Sequence, residues 1–277
     1  MLRRTFLLYA AGAFAQAPVY VCPMDPEIRS ARPGKCPRCG MTLVAGAPDP
    51  VPYPLQFRAT PQHIPPNQEI TLEFRILDPV TTRPVRQFET VHEKLFHLFV
   101  VSQDLAYFAH LHPELQKNGW FRLRTQLNPG TYRLLADVDP QGGTPQLLVR
   151  TFSTAGYIAP LTPAVLQTDL APKDGQNIRV ELRTEPAQPI AGKKTMLFLR
   201  VSPADGLERY LGAWAHLLAM SNDSVDMIHD HPFAAAGDAD LQFNLYFPHE
   251  ATYRVWIQIQ RLGVVNTVAF TLPVRQL

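Results

Sequence analysis

Charge is scarce in this chain and nearly balanced. Asp, Glu, Lys and Arg together make up 18% of 277 residues and the formal net charge is +2, so there is no basic stripe to neutralise a phosphate backbone or an anionic bilayer surface. Nucleic acid is thereby set aside as a partner. Long apolar runs are also missing: beyond the N-terminal leader, no segment reaches the ~18 consecutive apolar residues of a spanning helix. Glycine (15) is outnumbered by proline (27), and the prolines punctuate short runs rich in β-branched and aromatic residues. That pattern argues against long amphipathic helices and for strands with many edges and turns. Cysteine is limited to three residues, an odd number that cannot pair off within one chain; either one thiol is left over or all three hold something else.

What is present supports several domains, because 46% hydrophobic residues in a chain of this length can build more than one packed core. Arg3 and Arg4 precede the uncharged run Thr5 to Ala15, which ends in the small-residue pattern Ala13-Phe14-Ala15. This predicts a signal peptide over residues 1–15 and a mature chain from near Gln16. An uncleaved anchor is the alternative; a lipid attachment at Cys22 is disfavoured by Val19-Tyr20-Val21, which is not a small-residue lipobox. The expected location is therefore exported, either periplasmic or extracellular, where the compartment is oxidising.

Cys22, Cys36 and Cys39 form C-x13-C-x2-C. Two thiolates two residues apart in a tight turn can ligate one ion, and a third from a neighbouring strand nearly completes a tetrahedral shell. Gly40 suits the backbone of such a knuckle. So short a segment has almost no core of its own, which favours a metal or a disulfide to order it. The nearby Met24 and Met41 and the soft thiolates suit Cu(I) as well as Zn(II). A zinc knuckle that only staples the segment, and a redox pair at Cys36 and Cys39, remain alternatives. The paired signatures Cys22-Pro23-Met24 and Cys36-Pro37-Arg38-Cys39-Gly40-Met41 make residues 19–46 resemble the heavy-metal-binding domain of copper-transporting P-type ATPases and metal-efflux adaptors. The resemblance implies copper as cargo and a metal-efflux or metal-transport membrane protein as a partner. The family usually has histidine where this chain has Asp25; if that histidine is a ligand in relatives, the resemblance implies an oxygen donor or a water in its place here.

The remainder repeats itself. Leu95-Phe96-His97 through His110-Leu111-His112-Pro113 aligns with Trp214-Ala215-His216 through His229-Asp230-His231-Pro232, and each histidine of the first half recurs 119 positions later. Flanking strand-like segments repeat too, Thr131-Tyr132-Arg133 answering Thr252-Tyr253-Arg254. The expected architecture is mostly β: a small zinc-ribbon-like cysteine module, then two immunoglobulin-like β-sandwich domains over residues 55–155 and 176–277. A linker over 156–176 carries one helical turn near Ala164. The remainder loosely resembles exported copper-binding β-domains.

Gln103-Asp104 and Asn222-Asp223 lie midway between apolar runs and predict two-residue hairpin turns. His97 would then face His110 and His216 would face His229, with His112 and His231 one pleat away on the same face. Three imidazoles would converge in each half, a donor set for Cu(II), Zn(II) or Ni(II). Met220 and Met227 fall on the same face, Met227 being the thioether candidate, while Asp226 and Asp230 alternate away. The competing interpretation is a polar network that fixes the fold, or one binding copy and one scaffold copy. His63, His92 and His249 look isolated; His92-Glu93 reads as a solvated strand end, with reach to the first cluster as the alternative, and Trp120, Trp214 and Trp256 are expected to fill sandwich cores. The functional expectation is a binding protein, not an enzyme, handling copper or zinc for sequestration, delivery or resistance. The alternatives are a metalloenzyme with three-histidine ligation, or a structural or adaptor protein of an efflux system.

Overall fold

The computed structural model describes residues 20–22, 28–37, 40–45, 52–233 and 240–277 and divides into two compact units, Met1–Asp49 and Pro50–Leu277. Among the described residues the regular elements are all β-strands, and no helix is long and apolar enough to cross a membrane.

In the N-terminal unit, Tyr20–Val21 pairs antiparallel with Arg29–Ser30 on one side and Val44–Ala45 on the other. Strands of two residues bury little, and the core is correspondingly small: Cys22, Cys36 and Leu43, with Tyr20 and Ile28 packed against them. Cys36 sits in a tight knuckle in which its N–H donates to the Met41 carbonyl (2.7 Å) and the Gly40 N–H donates to the Cys36 carbonyl (2.9 Å). Gly40 has φ +76°, a left-handed conformation that costs glycine least. Cys39, Met24, Asp25 and the leader 1–15 lie outside the described residues.

The second unit holds two sandwiches of antiparallel sheets, each of immunoglobulin-like build. In the first, one sheet runs Leu55–Thr60, Glu69–Ile76, Phe121–Gln126, Glu114–Leu115, and the other runs Gln146–Ser153, Thr131–Val138, Phe96–Ser102, Phe108–Leu111. The second sandwich repeats this plan. Lys173–Asp174, Arg179–Glu185, Lys194–Ser202 and Asp240–Tyr246 form one sheet; Ala251–Arg261, flanked by His216–Ser221 and Val264–Val274, centres the other, with Met227–Asp230 beyond His216–Ser221. Each sandwich closes on its own core, around Leu72, Phe74, Phe96 and Leu134 in the first and Leu197, Phe243, Val255 and Phe270 in the second.

The strand Phe96–Ser102 is apolar on both faces for a reason. Phe96, Leu98 and Val100 enter the first core, whereas the alternate residues Phe99 and Val101 join Leu135 in a separate cluster with Leu218, Met220 and Trp256 of the second sandwich. Phe108 stacks on Trp256 with ring centroids 5.1 Å apart and planes 12° apart. In the internal alignment Phe99 corresponds to Leu218, Val101 to Met220 and Leu135 to Trp256, so equivalent surfaces of the two repeats face each other, as in an isologous dimer. One expectation is corrected here: Trp256 lies between the sandwiches and not in a sandwich core, and the thioether candidate Met227 packs against the same apolar cluster.

Hairpin register is also corrected, by two residues. Phe99 faces His110 and Val101 faces Phe108; Leu218 faces His229 and Met220 faces Met227. The turn is wider than two residues because an aspartate organises it. Asp104 accepts from Ser102 Oγ and the Ala106 N–H, and Asp223 accepts from Ser221 Oγ (2.6 Å) and the Val225 N–H (3.0 Å). Leu105 and Ser224 follow at φ 56° and 59°. A shift of two preserves side-chain parity, so all six histidines stay on the predicted face. The linker shows no helical turn: Ala164 is buried and its N–H donates to the Asn222 carbonyl (2.7 Å), while Asp169 bridges to Thr271. Pairing with the second sandwich satisfies the backbone that a helical turn would otherwise have to satisfy.

Candidate metal centre

The histidine faces of the two repeats meet each other. His97, His110 and His112 form one triad and His216, His229 and His231 the other, with candidate donor atoms in each triad all within 4.8 Å of one another. Across the repeats, ring centroids of His110 and His216 are 5.4 Å apart and those of His97 and His229 are 6.0 Å apart. The sequence predicted two separate sites; the fold makes them neighbours in one contiguous cluster. Phe99 walls it, stacking on His110 at 4.4 Å and meeting His229 edge-on at 4.7 Å.

Sequence reasoning placed His92 at a solvated strand end, and the structure corrects this. His92 stacks on His231 with centroids 3.7 Å apart and lies 5.6 Å from His216. The segment Val91–Lys94 aligns with Tyr210–Ala213, both closed by a small bridge, and His92 corresponds to Leu211. Asp137 and Gln258 were missed as well. They occupy equivalent positions in the repeat, each opposite the first histidine of its own sandwich, His97 and His216, yet each reaches the other sandwich. Asp137 bonds His229 and Gln258 bonds His110, both at 2.8 Å. The signal was present in the alignment of Thr131–Tyr132–Arg133 with Thr252–Tyr253–Arg254, extended a further turn of the pleat. His249 lies elsewhere, bonded to Asp226 (2.9 Å), and His63 is exposed.

The hydrogen bonds fix which nitrogens carry protons. A carbonyl only accepts, so His97 donates from Nε2 to Val91 (2.9 Å) and His216 donates from Nε2 to Tyr210 (2.8 Å). In neutral rings their Nδ1 atoms then accept from His110 Nε2 and His231 Nε2, both at 2.9 Å. Gln258 Oε1 lies 2.8 Å from His110 Nδ1 while its NH2 donates to Thr267 Oγ1 (3.1 Å); with the His110 proton committed, turning the amide end for end gives His110 Nδ1 a donor. Asp137 accepts the Nδ1–H of His229, whose Nε2 lies on the other side of the ring. That atom, with His92 Nε2 and His112 Nε2, is buried and has no hydrogen-bond partner.

Six of the rings are held neutral. Burial first, and the neighbouring imidazoles second, push His92 and His97 down to about 4 and His112 to about 3. The same causes push His110, His216 and His231 further below the ordinary range. Burial alone would lift the Asp137 carboxyl, but its bond to His229 and the surrounding rings hold it below its usual value. Neutral imidazoles with unshared lone pairs, a carboxylate fixing one ring's tautomer, and an aromatic wall are what an ion favouring nitrogen donors requires. Three orphaned donors in the interior are costly in a purely structural network, so the residues fit a transition-metal ion. In the N-terminal unit, the buried thiols of Cys22 and Cys36 provide a softer donor set.

A family model for a domain of unknown function, DUF8832, matches residues 54–154 and again 172–276. A model described as heavy metal binding domain matches residues 19–45. No curated protein matches the chain. Among solved structures it is similar to a two fibronectin type-III domain segment of chicken tenascin, at 12% identity over 80% of this chain and 98% of that one, with a TM-score of 0.23. It is also similar to the Escherichia coli adhesin FdeC, at 12% identity over 85% of this chain and 70% of that one, with a TM-score of 0.25. Likeness at these scores carries no weight for function.

Proposed function

The chain belongs to the DUF8832 family, and we propose that its paired domains, with the N-terminal heavy-metal-binding segment, form an exported protein that binds and carries a transition-metal ion, copper being the preferred cargo. One observation carries the proposal: His92, His112 and His229 each keep an Nε2 atom buried and without a partner, inside a cluster whose triads already lie within 4.8 Å. Leaving a buried acceptor unpaired costs about 1–3 kcal/mol, and a bound ion removes that cost.

Copper is favoured by the combination of donors. Imidazoles suit Cu(II), and the thiolates of Cys22, Cys36 and Cys39 suit Cu(I) or Zn(II). A protein offering both kinds can accept either oxidation state of copper, which supports sequestration, delivery or resistance outside the cytoplasm. Export is supported by the N-terminal run Arg3 to Ala15. The protein is then a binder, not an enzyme, and a metal-transport membrane protein is the partner that the N-terminal segment would meet.

Elemental analysis of the purified full chain tests this. Copper or zinc bound in stoichiometric amount is expected, and it should fall when His97, His110 and His112, or His216, His229 and His231, are replaced by alanine in chains that keep their β-sheet circular dichroism. Chelator-resistant metal that is unchanged in both triple variants would leave binding to the thiols alone.

A further inference from the structure

The two triads are related by the repeat, but their wiring is not the same. Each triad has one internal bond and one Nε2 left over, but on a different ring: in the first, His97 bonds His110 and the ring left over is His112. In the second, His216 bonds His231 and His229 is released from the network, its Nδ1 held by Asp137 and its Nε2 unpartnered. The orientation of His229 is that of a metal ligand anchored by a carboxylate, the outer partner that fixes ring direction and raises basicity. The equivalent anchor at the first triad is the neutral amide Gln258. The first triad also lacks a counterpart of His92, because the second repeat carries Leu211 there.

His92 is held by an unusual backbone. It and Glu93 are at φ 45° and 65°, where the second repeat has Leu211 and Gly212 at 49° and 77°. Two successive non-glycine residues in the left-handed region are uncommon and cost of order 1 kcal/mol each. In the first repeat that conformation carries an imidazole across the interface onto His231, at 3.7 Å.

We infer that the two triads are inequivalent, and that the tight position is the second, His216, His229 and His231, with His229 anchored by Asp137 and His231 backed by the stacked ring of His92, both from the first sandwich. It would take a divalent first-row ion that favours nitrogen donors. This deepens the metal-carrier function proposed above and rests on it. Asp137 is a positioning residue for His229 and His92 is one for His231, so the first sandwich holds two of the ligands of an ion nested in the second. The ion therefore joins the two repeats, and the first triad is the weaker position.

The test uses the full chain with Cys22, Cys36 and Cys39 replaced by serine, stripped with chelator and titrated with Zn(II) in a calorimeter at neutral pH. His92→Leu installs the residue that the second repeat already accepts at this backbone conformation, so folding is preserved, and circular dichroism checks it. The tightest Zn(II) should weaken at least about tenfold in His92→Leu, a loss within the range known for perturbed metal sites. The exposed control His63→Ala should leave it within about twofold. Tight binding unchanged in His92→Leu overturns the inequivalence of the triads while leaving a metal carrier. A parent chain that takes up no Zn(II) overturns the metal function itself, and the site with it.

Discussion

Acid should dismantle the metal-free interface between the repeats, and the size of the effect follows from the buried rings. His97, His110 and His216 are only 2%, 7% and 2% exposed, and burial holds each well below its value in an unfolded chain, His97 at about 4. Below pH ~6.5 the unfolded chain takes up one proton per ring that the folded chain refuses. Because the folded value is depressed for a base, the stabilisation is complete above pH ~6.5 and drains away as the pH falls toward 4. Each ring contributes a slope of about 1.4 kcal/mol per pH unit, and by pH 4.5 the three together remove about 8 kcal/mol. That rivals the whole stability of a typical domain, about 5–15 kcal/mol. Urea denaturation of the chelator-treated chain between pH 7.5 and 4.5 measures it, the midpoint falling steeply below pH 6. A midpoint that is flat across this range, or that rises on acidification, would refute the buried, neutral cluster.

Three further outcomes are expected. Asp137→Asn removes the charge that anchors His229 while keeping its size, and should weaken Zn(II) binding about ten- to a hundredfold in calorimetry with little change in fold; unchanged affinity would remove Asp137 from the site. Phe99→Ala empties the wall between His110 and His229 and should destabilise the chain by about 3–5 kcal/mol in urea titrations, whereas a loss under 1 kcal/mol would show that the wall does not pack as described. Thr195 is fully buried with its hydroxyl unpartnered, so Thr195→Val should stabilise by about 1 kcal/mol; destabilisation in thermal melts would mean that the hydroxyl has a partner.

Much of this could be read from the sequence because side-chain parity is robust. The H-x12-H-x-H spacing put six imidazoles on one face, and a register error of two residues at Asp104 and Asp223 left that face unchanged. What could not be read was which surface the face meets. Leu98-Phe99-Val100-Val101 is apolar at every position, as a strand buried on both sides must be, but the run does not say whether the second side is covered by another sheet or by a loop. Once the repeats face each other, His92, Asp137 and Gln258 enter the site from positions distant in sequence, and Trp256 moves from a supposed core into the contact. His92 was hidden further because its counterpart is Leu211: a residue that departs from the repeat is invisible to reasoning that looks for what the repeat shares. The linker failed for a local reason, since Ala164 finds its hydrogen bond at Asn222.

X-ray absorption spectroscopy of the zinc- or copper-loaded, cysteine-free chain addresses the central claim most directly. The predicted spectrum shows nitrogen donors at about 2.0 Å with the outer-shell scattering of several imidazoles. A first shell of oxygen alone, or a chain that holds no ion after gel filtration, would contradict it.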